Sequence, residues 1–369
     1  MKAIKTISTL LVLSIILPSC SSDLENRTSV ESNFPLKQVQ TFSVNESIEK
    51  IAVSDTWIAI YTRGKVTAVD VETQKTLWSI DLVRTDTDSE FQIINDILVA
   101  ATENDQIVLV NKFGQKRELD MKHEEGRITR LVAIYPNYIY VIRVHNVWTL
   151  EAYDISQNAL LWTTRVGRGG CDVFYVASKN VAYVTTRDKS IRAFDNATGK
   201  VVWEQDRSSL HSAFEGDVLY TVEHTSDTNT FRFSAFDVES QKELWKKDIT
   251  SITHVYKLTI IDEFLIASES DGLIALNKSS GDEVWQTDTG EPFYTRPVEF
   301  DDMIYAKGPS FTVYAISPSN GDVIGFVQLE SENPIFGQPK YEVLTGVYSL
   351  KDGIAVNTRN AVVIYKAKR

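Results

Sequence analysis

The sequence predicts an all-β fold, an eight-bladed β-propeller built from four-stranded antiparallel blades. The first observation behind this prediction is a set of recurring tryptophans: Trp78, Trp162, Trp203, Trp245 and Trp285. The last four lie 41, 42 and 40 residues apart, and the first interval of 84 residues has room for two units. The second observation is that alanine stands ten residues before each tryptophan, and aspartate or asparagine stands eight before it. A period of about 40–45 residues is typical of propeller blades.

Each repeat ends in a predicted β-hairpin, which residues 190–203 show best. Side chains of two kinds alternate over Ile191–Asp195, as in a strand with two different faces. A turn follows with Gly199 where a left-handed backbone is favoured, and the chain returns to Trp203. We expect the alanine to let neighbouring sheets approach and the five tryptophans to dock between blades. Three copies lack the turn glycine, which leaves a different turn geometry open for Gln74, Asn158 and Gln241.

Two further hairpins are predicted where the tryptophan is lost, at residues 108–119 and 313–326. In the second, Phe326 stands one residue past the tryptophan position. The first hairpin is short and contains Gly114. If it does not form a blade, the propeller has seven blades instead of eight.

The two ends of the chain each contain an unpaired strand. Residues 361–366 form a strand-like segment with no returning partner, and residues 34–44 form one with no hairpin before it. Pairing the two would close the ring and remove an exposed sheet edge. Seven hairpin units and this split blade give the count of eight.

Residues 1–19 have the features of an export signal: two lysines, then an apolar segment too short to span a membrane. The sequence Leu-Pro-Ser-Cys, which ends at Cys20, resembles the bacterial lipobox. Cys20 is therefore predicted to be the lipidated first residue of the mature protein. Residues 20–33 are the lipidated cysteine and a flexible tether, and residues 34–369 are the propeller.

The composition is that of a soluble acidic protein. The net charge is −12, and removal of the signal with its two lysines leaves 36 basic against 50 acidic residues, or −14. Such a surface repels nucleic acid and anionic lipid, so neither is expected as a partner. No metal site is predicted, because the carboxylates of 86–90 and His123–Glu125 lack a ligand pattern. The mature chain keeps one thiol, Cys171, and contains no catalytic motif.

The segment Ala193–Trp203, Ala-x-Asp-x-x-Thr-Gly-x-x-x-Trp, resembles the repeat of the pyrroloquinoline-quinone-type propeller family. The resemblance covers residues 34–369. The repeat is found in quinoprotein alcohol dehydrogenases and in BamB, a lipoprotein of outer-membrane protein assembly. Resemblance to the dehydrogenases implies an axial quinone, a metal beside it, a catalytic carboxylate and commonly a pair of adjacent cysteines. The mature chain has a single cysteine and lacks the long insertions that build such an active site. Resemblance to BamB proteins implies an envelope scaffold with no cofactor.

BamB proteins carry a partner-binding loop of the type Leu-x-Leu-Arg-Gly. The corresponding stretch here, Thr163–Cys171, keeps only an arginine and a glycine of that pattern. The candidate partner-binding residues in it are Arg165, Arg168, Gly169 and Gly170. Trp57 and Trp148 lie outside the docking register, so we expect each to pack within its blade, and a surface binding hot spot is the alternative for either. Trp57 is then expected to matter less for stability than Trp203.

The predicted function is that of a non-catalytic, exported lipoprotein that binds other envelope proteins. The lipid anchor would hold it on the outer membrane facing the periplasm, or on the outer face of the cell membrane in a host with one membrane. The alternative is a ligand-binding or sensor propeller that uses the axial channel. A degenerate quinoprotein dehydrogenase is the third hypothesis.

Overall fold

A computed structural model gives the structure of the protein. It describes residues 33–82, 91–102, 106–119, 127–135, 137–144, 148–166, 171–186, 190–225, 230–329 and 346–368. Over these ranges the chain consists of strands joined by turns and short connections. Among the residues described, no helix has the length and apolar character needed to cross a membrane.

The strands form eight four-stranded antiparallel sheets, which confirms the predicted eight-bladed propeller. Blade one contains β2 Lys50–Val53, β3 Trp57–Thr62, β4 Lys65–Asp70 and β5 Thr76–Asp81. Blade two contains β6 Phe91–Ile94, β7 Ile97–Ala101, β8 Ile107–Asn111 and β9 Lys116–Glu118. Blade three contains β10 Arg127–Ile134, β11 Tyr138–Val144, β12 Trp148–Asp154 and β13 Ala159–Arg165. Blade four contains β14 Cys171–Val176, β15 Val181–Thr186, β16 Ile191–Asp195 and β17 Val201–Gln205.

The second half of the ring repeats this arrangement. Blade five contains β18 His211–Glu215, β19 Val218–Thr225, β20 Thr230–Asp237 and β21 Lys242–Ile249. Blade six contains β22 Val255–Ile261, β23 Phe264–Glu269, β24 Gly272–Asn277 and β25 Glu283–Asp288. Blade seven contains β26 Val298–Phe300, β27 Met303–Lys307, β28 Thr312–Ile316 and β29 Val323–Gln328. Blade eight contains β30 Val347–Leu350, β31 Gly353–Asn357, β32 Ala361–Ala367 and β1 Leu36–Ser43.

The first strand of each blade lies nearest the propeller axis, and the fourth forms the outer edge. First strands of neighbouring blades contact each other, as β14 does β18 and β18 does β22. The apolar core is divided into eight clusters, each packed between two neighbouring blades. Among the described residues, the cluster between blades four and five is the smallest, with six buried members.

Blade eight is formed by both ends of the chain, as the two unpaired segments predicted. β1 pairs antiparallel with β32, from Leu36 opposite Ala367 to Ser43 opposite Ala361. The strand order of this blade is β1-β32-β31-β30. Blade two also forms around Gly114, so the seven-blade alternative is wrong.

The repeat pattern sets one geometry at the outer edge of the blades. In five blades the repeat alanine lies directly opposite the tryptophan of the fourth strand. Immediately before the tryptophan position, the fourth strand holds one extra residue, a β-bulge. This residue is aliphatic in seven blades: Val39, Leu77, Leu161, Val202, Leu244, Val284 and Ile324.

The turn before each tryptophan is left-handed whether or not it contains glycine. Gly199 has φ 66°, and Gln74, Asn158 and Gln241 have φ 61°, 52° and 60°. The different geometry left open for these three turns is therefore not found. The repeat aspartate stabilises the turn: Asp70 Oδ1 accepts the backbone N–H of Thr73 at 2.8 Å. Hydrogen bonds from Thr73 lower the pKa of the Asp70 carboxyl below its ordinary value.

Glycine is instead required by the neighbouring blade. A Cβ atom at Gly199 would lie 2.5 Å from Cβ of Trp162, which belongs to the preceding blade. Gly114, Gly281 and Gly321 pack in the same way on Trp78, Trp245 and Trp285. A docking tryptophan in one blade therefore leaves room only for glycine in the turn of the next blade. The exception is Gln241, in the turn that follows Trp203.

Four docking tryptophans make the same hydrogen bond to the next blade. Their indole Nε1 atoms donate to a backbone carbonyl in the turn there, at 2.9, 2.9, 2.9 and 2.7 Å for Trp78, Trp162, Trp245 and Trp285. Trp162, Trp245 and Trp285 are buried, whereas Trp78 and Trp203 are half-buried. Trp203 was expected to be buried between two sheets, but it is only half-buried, and the turn of the next blade holds Gln241 where the turns that follow the other four tryptophans hold glycine.

The expectation for Trp57 is also wrong. Trp57 is fully buried, with 0% of its surface exposed, and it does not pack within its own blade alone. Its Nε1 donates to Asp96 Oδ1 of blade two at 3.2 Å, and the centroid of its ring lies 5.7 Å from that of the Trp78 ring. Trp57 lies at the start of a second strand, so the spacing of the fourth-strand tryptophans carried no information about it.

Other side chains replace the missing tryptophans. Gln40 of blade eight donates from Nε2 to the carbonyl of Val71 at 2.9 Å, and Arg117 of blade two donates from Nη2 to the carbonyl of Ile155 at 2.9 Å. These carbonyls occupy the turn position that the indoles contact elsewhere. In blade seven, Gly325 rather than Phe326 lies opposite the repeat alanine.

The space beside Gly325 is filled from the N-terminal end of the propeller. A Cβ at Gly325 would meet the backbone of Phe34 at 2.6 Å. The Phe34 ring packs edge-on against Tyr305 and Tyr365 at 5.9 and 5.7 Å. Phe34 therefore takes the docking role between blades seven and eight.

Candidate partner-binding surface

The predicted partner-binding segment connects the outer strand of blade three to the inner strand of blade four. It starts from a fixed point, because Val166 is 8% exposed and donates its backbone N–H to the carbonyl of Trp148 at 3.0 Å. It ends at Cys171, which opens β14 and pairs with Thr186. Both ends of this connection are therefore held by sheet hydrogen bonds.

Arg165 is exposed at the end of β13. Its carbonyl accepts a hydrogen bond from Arg192 Nη1 at 3.2 Å, and Arg192 also pairs with Glu204 at 2.7 Å. The backbone at Arg165 is thus tied to blade four. Within the described ranges the Arg165 guanidinium makes no salt bridge.

The inner side of the connection is fixed by polar contacts between blades. Asp172 Oδ2 accepts the backbone N–H of Ser212 at 3.0 Å, which ties blade four to blade five. The Tyr135 phenol donates to the carbonyl of Val173 at 3.0 Å, which ties blade three to blade four. The Ser212 hydroxyl also bonds the Thr185 hydroxyl at 2.8 Å. A partner that contacted this connection would therefore meet a surface with rigid support.

The other predicted site residues fall elsewhere. Arg168, Gly169, Gly170 and the lipidation residue Cys20 lie outside the described residues. So do His123–Glu125 and the carboxylates of 86–90. Within the described part of the chain, no group of three or more histidine, cysteine, aspartate or glutamate side chains is placed to hold a metal ion.

Sequence reasoning missed Asp172, Arg192 and Tyr135. Alternation along β16 would have placed Arg192 on an outward face, but nothing in the local pattern joins it to Arg165. The contact of Asp172 with Ser212 spans 40 residues and depends on how two blades align. Such contacts follow from the repeat register and not from a motif.

Comparison with known proteins identifies the fold of this chain. A sequence model of the family described as outer membrane protein assembly factor BamB matches residues 118–228 and 229–334, more than half of the chain. No curated protein sequence matches.

Several solved structures share the fold. The crystal structure of BamB from Moraxella catarrhalis is 18% identical, with TM-score 0.69 over 90% of this chain and 99% of that one. The computationally designed protein Ika8 is 14% identical, with TM-score 0.68 over 88% and 98%. Quinohemoprotein alcohol dehydrogenase from Comamonas testosteroni is 10% identical, with TM-score 0.67 over 92% and 78%. At these identities the likeness concerns the fold, which a binding protein, a designed protein and an enzyme share.

Proposed function

Because the chain belongs to the family described as outer membrane protein assembly factor BamB, we propose that it is a non-catalytic scaffold of the cell envelope that serves in outer-membrane protein assembly. The observation that carries this proposal is the family match over blades three to seven of a closed eight-bladed ring. A closed ring holds its connections in fixed positions, which suits a protein that positions partners.

The proposed anchor is a lipid on Cys20, after export and removal of residues 1–19. The chain enters the ring at Asn33, whose backbone lies against Gly325 at the seam between blades seven and eight. The 13 residues Ser21–Asn33 can span at most about 45 Å when extended. In a ring of eight blades, the seam between blades three and four lies opposite this point. The anchor would therefore leave the Arg165 surface free to face away from its point of attachment.

The partner surface can be tested by photocrosslinking in membranes. A benzoylphenylalanine at position 165 should crosslink to outer-membrane barrel-assembly proteins, identified by mass spectrometry. The same group at Phe113, which is 84% exposed in blade two, is the matched control and should give no such product. Equal products from both positions, or none from position 165, would contradict the proposed surface.

The anchor can be tested separately. Cys20→Ser should move the protein from the membrane fraction to the soluble exported fraction, because the tether has too little apolar surface to bind lipid. Cys171→Ser is the control and should remain with the membranes. A Cys20→Ser protein that still sediments with membranes after a high-salt wash would show that the lipobox reading is wrong.

The absence of catalysis belongs to the same proposal. Adding pyrroloquinoline quinone and Ca²⁺ to the purified propeller should change neither the visible absorbance nor the unfolding temperature. A stoichiometric absorbance change with thermal stabilisation would favour the quinoprotein hypothesis instead.

A further inference from the structure

A second exposed site lies on the connection between blades six and seven, residues 289–297. Its backbone is fixed on both sides of Tyr294. Phe293 is fully buried and donates its N–H to the carbonyl of Glu269 at 3.2 Å. The carbonyl of Thr295 accepts the Ser268 hydroxyl at 3.1 Å. Tyr294 is nevertheless 40% exposed, so a rigid backbone presents an aromatic ring to solvent.

The inner strand of blade six turns a second aromatic ring toward Tyr294. Tyr256 is the extra residue of a β-bulge in β22, between Val255 and Lys257. Bulges re-aim side chains and are common beside functional sites. The Tyr256 ring meets Tyr294 at 4.8 Å and an interplanar angle of 75°, and exposed His254 stacks on it at 6.0 Å. The two tyrosines form a corner between a ring face and a ring edge.

The same connection carries a cation. Arg296 is exposed, two residues after Tyr294, and it makes no salt bridge within the described residues. The carboxylate of the same connection, Glu291, is engaged elsewhere. It accepts the Tyr314 phenol at 2.6 Å and the Ser310 hydroxyl at 2.8 Å.

Arg296 lies two residues before β26, the innermost strand of blade seven, and is therefore near the propeller axis. Burial raises the pKa of the Tyr135 phenol in blade three, and Arg296 and Asp172 act on that phenol in opposite directions. Blades three and seven face each other across a ring of eight. An exposed guanidinium that makes no salt bridge among the described residues would attract an anionic group.

We propose that Tyr256, Tyr294 and Arg296 form a peptide-binding site at the mouth of the axial channel. Its occupant is an extended polypeptide segment in which a carboxylate follows a large apolar side chain. The apolar side chain packs in the tyrosine corner, and Arg296 binds the carboxylate through charge-assisted hydrogen bonds. A corner between two rings at 75° offers both a ring face and a ring edge to an aromatic side chain, whereas a sugar ring stacks on one open ring face, which favours a peptide over an acidic saccharide. The site is separate from the Arg165 surface and does not depend on the envelope role.

The test measures binding of three blocked synthetic peptides to the purified propeller by calorimetry or NMR. The first is Thr-Phe-Asp-Thr, the second replaces Asp by Asn, and the third replaces Phe by Ala. For the wild type, the peptide with Asn in place of Asp should bind about tenfold more weakly than the first peptide. For Arg296→Gln the difference between these two peptides should be less than about twofold, because the charge interaction is already lost. In the same way, replacing Phe by Ala in the peptide should weaken binding to the wild type but have little effect on binding to Tyr294→Ala.

Exposed residues elsewhere supply the controls. Lys75→Gln and Phe113→Ala remove a cation and an aromatic ring from other surfaces and should leave all three affinities unchanged. Unfolding temperatures of Arg296→Gln and Tyr294→Ala should match the wild type, since both side chains are exposed. The proposal would be overturned if the peptide affinities did not change in Arg296→Gln and Tyr294→Ala, or if the first peptide did not bind. Binding of oligogalacturonate with the same residue dependence, in place of the peptide, would also overturn it and assign the site to acidic saccharides.

Discussion

At the scale of single residues, Lys307 places an amine in the apolar seam between blades seven and eight. The residue is 2% exposed, and its Nζ has no hydrogen-bond partner among the residues that the structure describes. The amine lies over the Phe311 ring at 4.6 Å, and Glu291 is the acidic residue whose charge acts on it. Burial lowers the pKa of Lys307 to about 7, against the weaker opposing effect of Glu291. The unfolded chain therefore binds a proton at Lys307 more tightly than the folded protein does.

This burial predicts a pH-dependent gain from Lys307→Met. Below about pH 7 both states are protonated and the folded protein carries the full penalty of the buried charge. Between about pH 7 and the ordinary lysine pKa of about 10.4, the penalty falls as pH rises. Lys307→Met should thus raise the free energy of unfolding by about 1–3 kcal/mol at pH 6.5 and by less at pH 9.5, as measured with urea. Exposed Lys75→Met is the control, and an equal gain at both pH values would contradict the assignment.

The tryptophans differ in the number of contacts that each would lose. Trp57→Ala should cost about 3–5 kcal/mol, because it opens a cavity at a fully buried position and removes the bond to Asp96. Trp203→Ala should cost about 1–2 kcal/mol, because the ring is half-buried and its recorded ring contact is with Tyr183 at 6.4 Å. Thermal and urea unfolding of the two variants side by side would decide. A larger loss for Trp203 would restore the order that spacing alone suggested.

At the scale of elements, bulges in the outer strands keep seven of the eight sheet edges from pairing with other chains. The bulge residues of these strands include Val202, Leu244 and Val284, which are 56%, 53% and 45% exposed. An aliphatic residue on an edge strand would favour aggregation if the strand were flat. A bulge at that same residue breaks the ladder and increases the local twist, so the edge is a poor template.

The hairpins could be predicted from the sequence because each is encoded within about 14 residues. The contacts between blades could be predicted only where tryptophan provides them. At the other seams the contact between neighbouring blades is made by different side chains, those of Gln40, Arg117 and Phe34. No spacing rule identifies these residues. The candidate partner surface could also be predicted only in part. The composition of the loop drew attention to Arg165, but the hydrogen bond between Arg192 and the Arg165 carbonyl depends on the alignment of two blades.

Gln40 gives a test of the hydrogen bond that joins neighbouring blades. In Gln40→Glu the carboxylate has no proton to donate to the Val71 carbonyl at neutral pH, and the loss should cost about 1–3 kcal/mol. Lowering the pH to about 4.5 should recover part of this loss relative to the wild type, because a protonated carboxyl can donate. Gln38→Glu, on the same strand but exposed, should cost less than about 0.5 kcal/mol at either pH. A loss for Gln40→Glu that does not shrink on acidification would argue against the bond.

At the scale of the whole molecule, stability depends on one long-range pairing. Every other blade is continuous in sequence, but blade eight joins β1 to β32 over more than 300 residues. If β32 detaches, β31 and β1 both lose their neighbour, and the apolar cluster between blades eight and one opens to water. The ring should therefore unfold from this seam.

Two variants test the closure. Deleting residues 360–369 should destabilise the ring far more than deleting residues 21–32, since the first removes β32 and the second only tether.

In a background of Cys20→Ser and Cys171→Ser, Lys37→Cys with Lys366→Cys should form a disulfide, because these residues are direct partners across β1 and β32. The crosslink closes a very long loop, so the oxidised protein should gain about 2–4 kcal/mol over its reduced form. Lys37→Cys with Lys200→Cys, in blade four, should neither crosslink within the monomer nor gain stability. If the oxidised Lys37→Cys, Lys366→Cys protein unfolded at the same urea concentration as the reduced one, the seam would not be where the ring opens, and unfolding would have to begin at another interface. The half-exposed Trp203 would make the interface of blades four and five the first to examine.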